Sequence, residues 1–403
     1  MMGFFMQKIK IKIMKIDINK VKLIPNEHTI TFGVCKYGDL DKEISDWVKF
    51  WNFKTEKSSG YTNIYIDKKI SDIFLPFSEY EYLDGFSPNL NKHLHLGHLS
   101  NLIIANAIQK LKVSKKSIAI LGDTLTGSVE KEDALKAYQN YCNIFEYKVN
   151  DIFYASEMKI KKDILIDGED EYSGSKIFDL VDEKVVGIKS TGKTTYFYQD
   201  IALAEELSAP TIYLTGLEQT NHFNSVKKLY PDIKHIGLGL VLLDGKKMSS
   251  SEGNIIYLKD FIDKLLLEFK DIKLVYNILA GQILKSNPNV NKSIDSKLIS
   301  NPKTSLGLYL SYTMAHIKSC GVSTKKISEY NSKEIEFAEF KSKVNLTPNV
   351  LFESLVKHCK KINKLYEENY IKGNKENIEK FSILISDLEL GMSKLGMFSV
   401  NKV

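Results

Sequence analysis

The hydrophobic pattern changes character twice along this chain. Near the N-terminus lysine and isoleucine alternate through residues 8–18, the period-two pattern of a half-exposed strand, and a second strand pattern falls at about 60–67. From about residue 80 short apolar runs meet glycine. Ser117–Leu121 leads into Gly122-Asp123, Thr211–Thr215 leads into Gly216, and Leu238–Leu243 forms a third run. Helical stretches separate them. Strands closed by glycine-bearing turns, with helices between, predict a parallel α/β sheet whose ligands gather beyond the C-terminal strand ends. After about residue 268 the strand patterns stop. Leu306–Ile317, Val350–Tyr370 and Ile378–Leu395 repeat at the helical period, punctuated by Asn301-Pro302 and Thr347-Pro348. The expected layout is a small α/β region over residues 1–79, an α/β domain over 80–267 and a helical domain over 268–403.

Composition narrows the class. The chain has 403 residues, 43% hydrophobic and 26% charged, the balance of an ordinary globular protein. No apolar run approaches the length of a membrane span. Lys8, Lys10, Lys12 and Lys15 interrupt the apolar N-terminus, so it does not read as a secretory signal. The four cysteines are scattered without a CxxC pair, which predicts no zinc site and a reducing, cytoplasmic compartment. The net charge is +6, with the positive excess in the last third of the chain, where it suits a polyanionic partner. All 56 basic residues are lysine; arginine is absent. Average usage predicts roughly 20–25 arginines in a chain of this length.

Two short segments carry candidate chemistry. In Ser87-Pro88-Asn89-Leu90-Asn91-Lys92-His93-Leu94-His95-Leu96-Gly97-His98, an apolar-periodic helix is expected directly after His98. Histidines at a helix N-terminus can hold a polyphosphate, helped by free N–H groups and the helix dipole. Gly97 leaves room for a flat base to approach the backbone. Some 150 residues later, Lys247-Met248-Ser249-Ser250-Ser251 forms a Ser-rich loop whose lysine can close on a triphosphate and stabilise charge on the α-phosphate and the leaving pyrophosphate.

Together these segments resemble the HxGH and KMSKS signatures of class I aminoacyl-tRNA synthetases, and the SPNxxKxxHxGH form is similar to the arginyl-tRNA synthetase family. Three further stretches are similar to that family in the same order: Tyr196–Ala202, Gly216–Phe223 and His235–Leu242. The resemblance covers about residues 80–400, with Thr304–Ser319 and Pro348–Glu368 resembling its anticodon-binding helices. It implies a Rossmann-like parallel-sheet catalytic domain followed by an all-α domain. It implies ATP, magnesium carried with the ATP, L-arginine and tRNA(Arg) as cofactors and partners of a monomeric ligase, with no protein-bound metal. Carried over by position, Lys92, His95, His98 and Lys247 would be the catalytic groups. His95, Gly97, His98, Gly216, Glu218, Lys247, Met248 and Ser249 would hold ATP. Asp84, Asn89, Tyr196, Asp200 and Gln219 would hold arginine. A guanidinium presents five donors in a rigid fork, which carboxylates accept in pairs; Asp200 is the expected anchor.

The chain departs from the family at Ser100, where arginine usually follows GHL, and at Ser250 and Ser251, where basic residues usually stand. Its Gly122-Asp123-Thr124-Leu125 lacks the family's tryptophan, and the N-terminal region is abbreviated. A competing motif also exists. Gly187–Thr194 fits the P-loop pattern GxxxxGK[ST], but Thr195–Tyr198 has strand character where a P-loop needs a helix, which predicts a hairpin turn at Thr191-Gly192-Lys193. The readings that follow are an arginine–tRNA ligase, a paralogue that activates arginine for another acceptor, a non-catalytic tRNA-binding regulator and, last, a P-loop NTPase. The missing arginine adds a hypothesis: the chain can be made when arginyl-tRNA is scarce. Codon bias is the competing explanation.

Overall fold

The computed structural model describes residues 15–403, apart from residues 16, 18–21, 25–30, 35–41, 59–60, 67, 75–78, 125–126, 128, 248–256, 297–298, 300 and 302. The strand expected around residues 8–18 therefore lies outside the described residues, except for Lys15 and Asp17. The N-terminal region contains β1 (Lys22–Ile24), β2 (Thr31–Val34), α1 (Lys42–Trp51), β3 (Lys54–Ser58), β4 (Tyr61–Tyr65) and α2 (Ile70–Ile73). Its strands form an antiparallel sheet in the order β1-β2-β4-β3. Trp47 is fully buried against Phe53 and Phe74, and its indole N–H donates to Ile73 O at 2.9 Å. This core is completed from the far end of the chain by Phe337 and Phe340.

A five-stranded sheet follows. Its elements are β5 (Tyr80–Asp84), α3 (Leu96–Lys110), β6 (Ser114–Leu121), α4 (Lys131–Ile144) and β7 (Asp151–Tyr154). After an antiparallel excursion of β8 (Ile166–Asp167), β9 (Lys176–Leu180) and β10 (Glu183–Ile188), it resumes with α5 (Tyr196–Leu207), β11 (Thr211–Gly216), α6 (Thr220–Leu229) and β12 (Ile233–Leu238). The order is β12-β11-β5-β6-β7 and every pairing is parallel. The chain builds outward from β5 in one direction, then returns to build outward in the other. The switch point thus lies between β5 and β11, where an open parallel sheet leaves a crevice at its C-terminal edge.

The third expected strand divides. β12 ends at Leu238, and β13 (Val241–Leu243) turns into a different sheet with β14 (Lys246–Lys247) and β15 (Lys292–Ile294). Gly239 makes the break: its N–H donates to Pro288 O, and a Cβ there would lie 2.3 Å from Val290 O. β15 is also a strand beyond residue 268, where only helices were expected; three residues are too few to show a period. The remaining elements are α7 (Leu258–Phe269), α8 (Ile272–Leu284), α9 (Leu306–Ser319), α10 (Lys333–Asn345), α11 (Asn349–Glu368) and α12 (Lys375–Lys394). α3 is buried on all sides, and one hydrophobic core runs from it through α8 into α9, α11 and α12. Within that core Asn277 donates to Phe398 O at 2.8 Å and accepts from Phe398 N–H at 2.8 Å, which fastens the C-terminal segment to α8. Among the described residues no helix is long and apolar enough to cross a membrane.

Candidate active site

Asp84 ends β5 at the switch point and is 5% exposed. Ser87 Oγ donates to its Oδ1, while the same hydroxyl accepts from Ile120 N–H at 3.0 Å on the neighbouring strand. Burial, reinforced by the charge of Asp200 and opposed by Ser87, raises the Asp84 pKa to about 7. The Asp200 charge thus lies near enough to act on Asp84. Asp200 comes from the first half of α5, and its Oδ2 accepts from His222 Nε2 of α6 at 2.6 Å. Tyr213 of β11 is the register partner of Asp84. Among the described residues its buried hydroxyl has no hydrogen-bond partner, and burial with the charges of Asp200 and Asp84 holds it firmly protonated.

The other arginine-site candidates sit on neighbouring elements. Tyr196 is the first residue of α5 and is 56% exposed. Its helix starts where Thr195 Oγ1 accepts from Tyr198 N–H and donates to Val186 O. Gln219 is exposed at the end of the short turn after β11. Asn89 bridges to Gly122 beside the end of β6, and a Cβ on Gly122 would lie 1.8 Å from Asn89 Oδ1, so a larger residue there would displace the Asn89 side chain.

The histidine segment lies on the adjoining helix start. α3 begins at Leu96, so His95 is the cap and His98 sits inside the first turn, three residues earlier than expected. The reason is a histidine version of the capping box. His95 Nδ1 accepts from Gly97 N–H and His98 Nδ1 accepts from His95 N–H, both at 3.1 Å, and the rings stack with centroids 3.9 Å apart. Gly97 is needed for this, because a Cβ there would lie 2.8 Å from the His95 ring. Burial and the Lys92 charge lower the His95 pKa; burial, His95 and Lys92 bring His98 down to about 3. Both shifts favour the neutral ring. With each Nδ1 accepting, each Nε2 carries the proton and is a donor. Lys92 is exposed beside them.

Lys247 ends β14, opposite Leu242; its side chain, Met248 and Ser249 lie outside what the structure describes. Chain direction is nevertheless constrained on the far side of that segment. Tyr257 bridges to His95, its ring meets His93 at 4.9 Å, and Leu258 N–H donates to Leu94 O at 2.9 Å. Gly216 closes β11, with the Glu218 carboxylate folded over its Cα: a Cβ would lie 2.1 Å from Glu218 Oε1. Asp84, Asp200, His95, His98 and Gly216 therefore meet at one edge of the sheet. Sequence reasoning quoted Ser87 and His222 inside its motifs without giving them a task; the structure shows that each bonds one of the two carboxylates. Tyr257 carried no sequence signal.

Gly187–Thr194 is not a phosphate cradle. Lys189 N–H donates to Lys193 O and Gly192 N–H to Lys189 O, so the turn's own donors are engaged. Its strand β10 belongs to the antiparallel excursion, not to the parallel sheet. The expected turn is present, with Gly192 at φ +79° and a bridge from Ile188 to Thr194. The strand expected at Thr195–Tyr198 is instead the start of α5. Capping by Thr195 and burial of Phe197, Tyr198 and Ile201 outweigh the aromatic preference for strand. Among the described residues no group of three or more His, Cys, Asp or Glu side chains could hold a metal ion.

A parallel sheet ordered this way, with a paired-histidine helix start at its crevice and a helical domain behind it, is the architecture of a class I aminoacyl-tRNA synthetase. In fold and in sequence the chain is similar to proteins of the arginyl type. The Thermus thermophilus arginyl-tRNA synthetase has the same fold, with a TM-score of 0.66 at 15% identity over 95% of this chain and 96% of that one. In sequence the chain is similar to the arginine–tRNA ligase of Clostridium kluyveri, 23% identical over 90% of each, and to that of Oenococcus oeni, 31% identical over 118 residues. Its similarity to the arginyl-tRNA synthetases is thus modest in identity and broad in coverage. The chain spans between about a fifth and three fifths of the length of the first curated relatives it matches. No family model matches it.

Proposed function

We propose that this protein activates L-arginine with ATP and transfers it to tRNA(Arg). One observation carries the reading: two carboxylates, Asp84 and Asp200, act on each other's charge at the sheet edge where α3 begins with its stacked histidine pair. A guanidinium answers two carboxylates with its fork of donors, whereas an ammonium offers a point charge. In the first step the arginine carboxylate attacks the α-phosphorus of ATP, the bond to the bridging oxygen breaks, and pyrophosphate leaves. The Nε2–H groups of His95 and His98, the N-terminal N–H groups of α3, Lys92 and Lys247 stabilise the charge that builds there. In the second step a terminal ribose hydroxyl of tRNA attacks the adenylate carbonyl and AMP departs. Neither step requires a protein nucleophile, so positioning and charge do the work. Magnesium would arrive on the triphosphate rather than on a protein cluster. Residues 80–267 serve as the catalytic part, 268–403 as the tRNA-reading part, and 1–79 as an accessory.

The test is ATP–pyrophosphate exchange and charging of total tRNA with each amino acid in turn. Arginine alone should drive both, and Asp200→Ala should lower the arginine response by about 100-fold or more, the scale of one lost buried charge partner. No arginine response would sink the proposal. Exchange without transfer would favour activation of arginine for a different acceptor.

A further inference from the structure

We infer that His222 is a positioning residue for arginine recognition: it orients the Asp200 carboxylate so that one oxygen is held and the other is presented to the guanidinium. This rests on the proposed function. Asp200 lies on α5 and His222 on α6, and a bond between Nε2 and Oδ2 at 2.6 Å links their side chains across the two helices. An ionised carboxylate can only accept, so Nε2 donates. The imidazole has little freedom to do otherwise. Phe197 meets its face edge-on at 5.5 Å between centroids and Phe223 at 5.1 Å, and both phenylalanines are buried. Phe223 in turn stacks on His235, whose Nε2 pairs with Thr215 Oγ1 at 2.9 Å next to Gly216.

The consequence is a matched pair of carboxylates. Ser87 occupies one oxygen of Asp84 and His222 occupies one oxygen of Asp200; no hydrogen bond engages the second oxygen of either among the described residues. Each carboxylate is thus held at one oxygen and keeps the other as an unengaged acceptor. Without His222, Asp200 would keep its charge but lose its aim. The side chain it grips is remote from the reacting carboxylate, so its contribution is ground-state binding that is equally present in the transition state. Such a loss raises KM and leaves kcat unchanged.

The experiment compares His222→Gln, His222→Asn and His222→Leu with the unaltered protein, by calorimetric arginine binding and by arginine-dependent pyrophosphate exchange. Gln can place an amide N–H near the Nε2 position, Asn is too short, and Leu has no donor. The expected result is an arginine Kd and KM within about 3-fold of the unaltered protein for Gln, raised roughly 10-fold or more for Asn and Leu, with kcat and the ATP KM unchanged. Thermal melting checks folding, and if Leu fails to fold, the Gln and Asn pair still decides. Equal behaviour of Gln and Asn, or a fall in kcat with KM unmoved, would overturn the inference. An unaltered protein that binds no arginine would overturn the proposed function and the role of His222 with it. Arginine binding that all three variants retain would overturn only the role of His222.

Discussion

At the scale of single residues, Asp84 sets a pH dependence that the histidines do not. His98 is brought down to about 3, and burial with the Lys92 charge lowers His95 below its ordinary value, so both move away from the neutral range. Asp84, raised to about 7, moves into it. A guanidinium needs the carboxylate ionised, so arginine affinity should strengthen as pH rises from 6 through 7 and level off near 8. Calorimetric Kd values at those three pH values check this; a flat profile would count against Asp84 as a partner. The effect on stability has the opposite sign. A carboxyl whose folded pKa is raised favours the folded state only while protonated, so stability is lost as pH rises from the ordinary carboxylate range toward 7. Asp84→Asn should therefore melt higher than the unaltered protein at pH 8, close to equal at pH 4, and bind arginine poorly throughout. Function here is held at the expense of stability.

At the scale of elements, α3 connects chemistry to scaffold. Its first turn carries the histidines, and its buried body packs under the sheet on one side and on α8 on the other. Asn106 donates to Phe145 O at 2.8 Å and to Tyr276 Oη at 3.0 Å, tying the loop after α4 to α8 through α3. The next joint, between α8 and α9, depends on glycine. A Cβ on Gly307 would lie 1.9 Å from Asn277 O, and one on Gly281 would lie 2.3 Å from Gly307 N. Gly307→Ala should push these helices apart and cost about 1–3 kcal/mol, the usual scale of overpacking. Denaturant unfolding measures it; an unchanged midpoint would mean the helices can separate freely. Because Asn277 also holds Phe398, the C-terminal segment should loosen in the same variant.

At the scale of the whole molecule, the absence of arginine is the feature that folding does not explain. If even one basic residue in ten were arginine, 56 lysines in succession would arise by chance roughly three times in a thousand, against an average usage that mixes the two. The structure contains places where an arginine fork would serve. Lys228 answers both Asp182 and Glu183, and Lys318 reaches Glu389, Ser399 and Asn401. The expectation that follows from the proposed function is that synthesis of this chain does not wait on arginyl-tRNA. In a reconstituted translation mixture without arginine, its message should give full-length protein, and adding arginine and tRNA should then start synthesis of an arginine-containing reporter. A silent reporter would count against the ligase, and neighbouring genes equally free of arginine would return the feature to codon bias.

The sequence alone determined the order of strands and helices wherever the apolar period ran long enough. β6, β11, α9, α11 and α12 lie where the pattern puts them, because burial of one face is a local property. It also determined the candidate set of site residues, since HLGH, the Tyr196–Ala202 stretch and the Gly216–Phe223 stretch are contiguous. Tertiary structure decided what period and propensity could not hold. Thr195–Tyr198 became a helix start because a cap and a buried face outweigh aromatic strand preference. Leu238–Leu243 broke at Gly239 because a backbone from residues 288–290 crosses there. The pairing of Asp84 with Asp200, and of each with its own donor, joins residues from β5, α5 and α6 that lie 116 and 138 positions apart from end to end of the site. Local sequence has no term for such distances; only the crossing of the chain at the sheet's switch point brings those charges into one space.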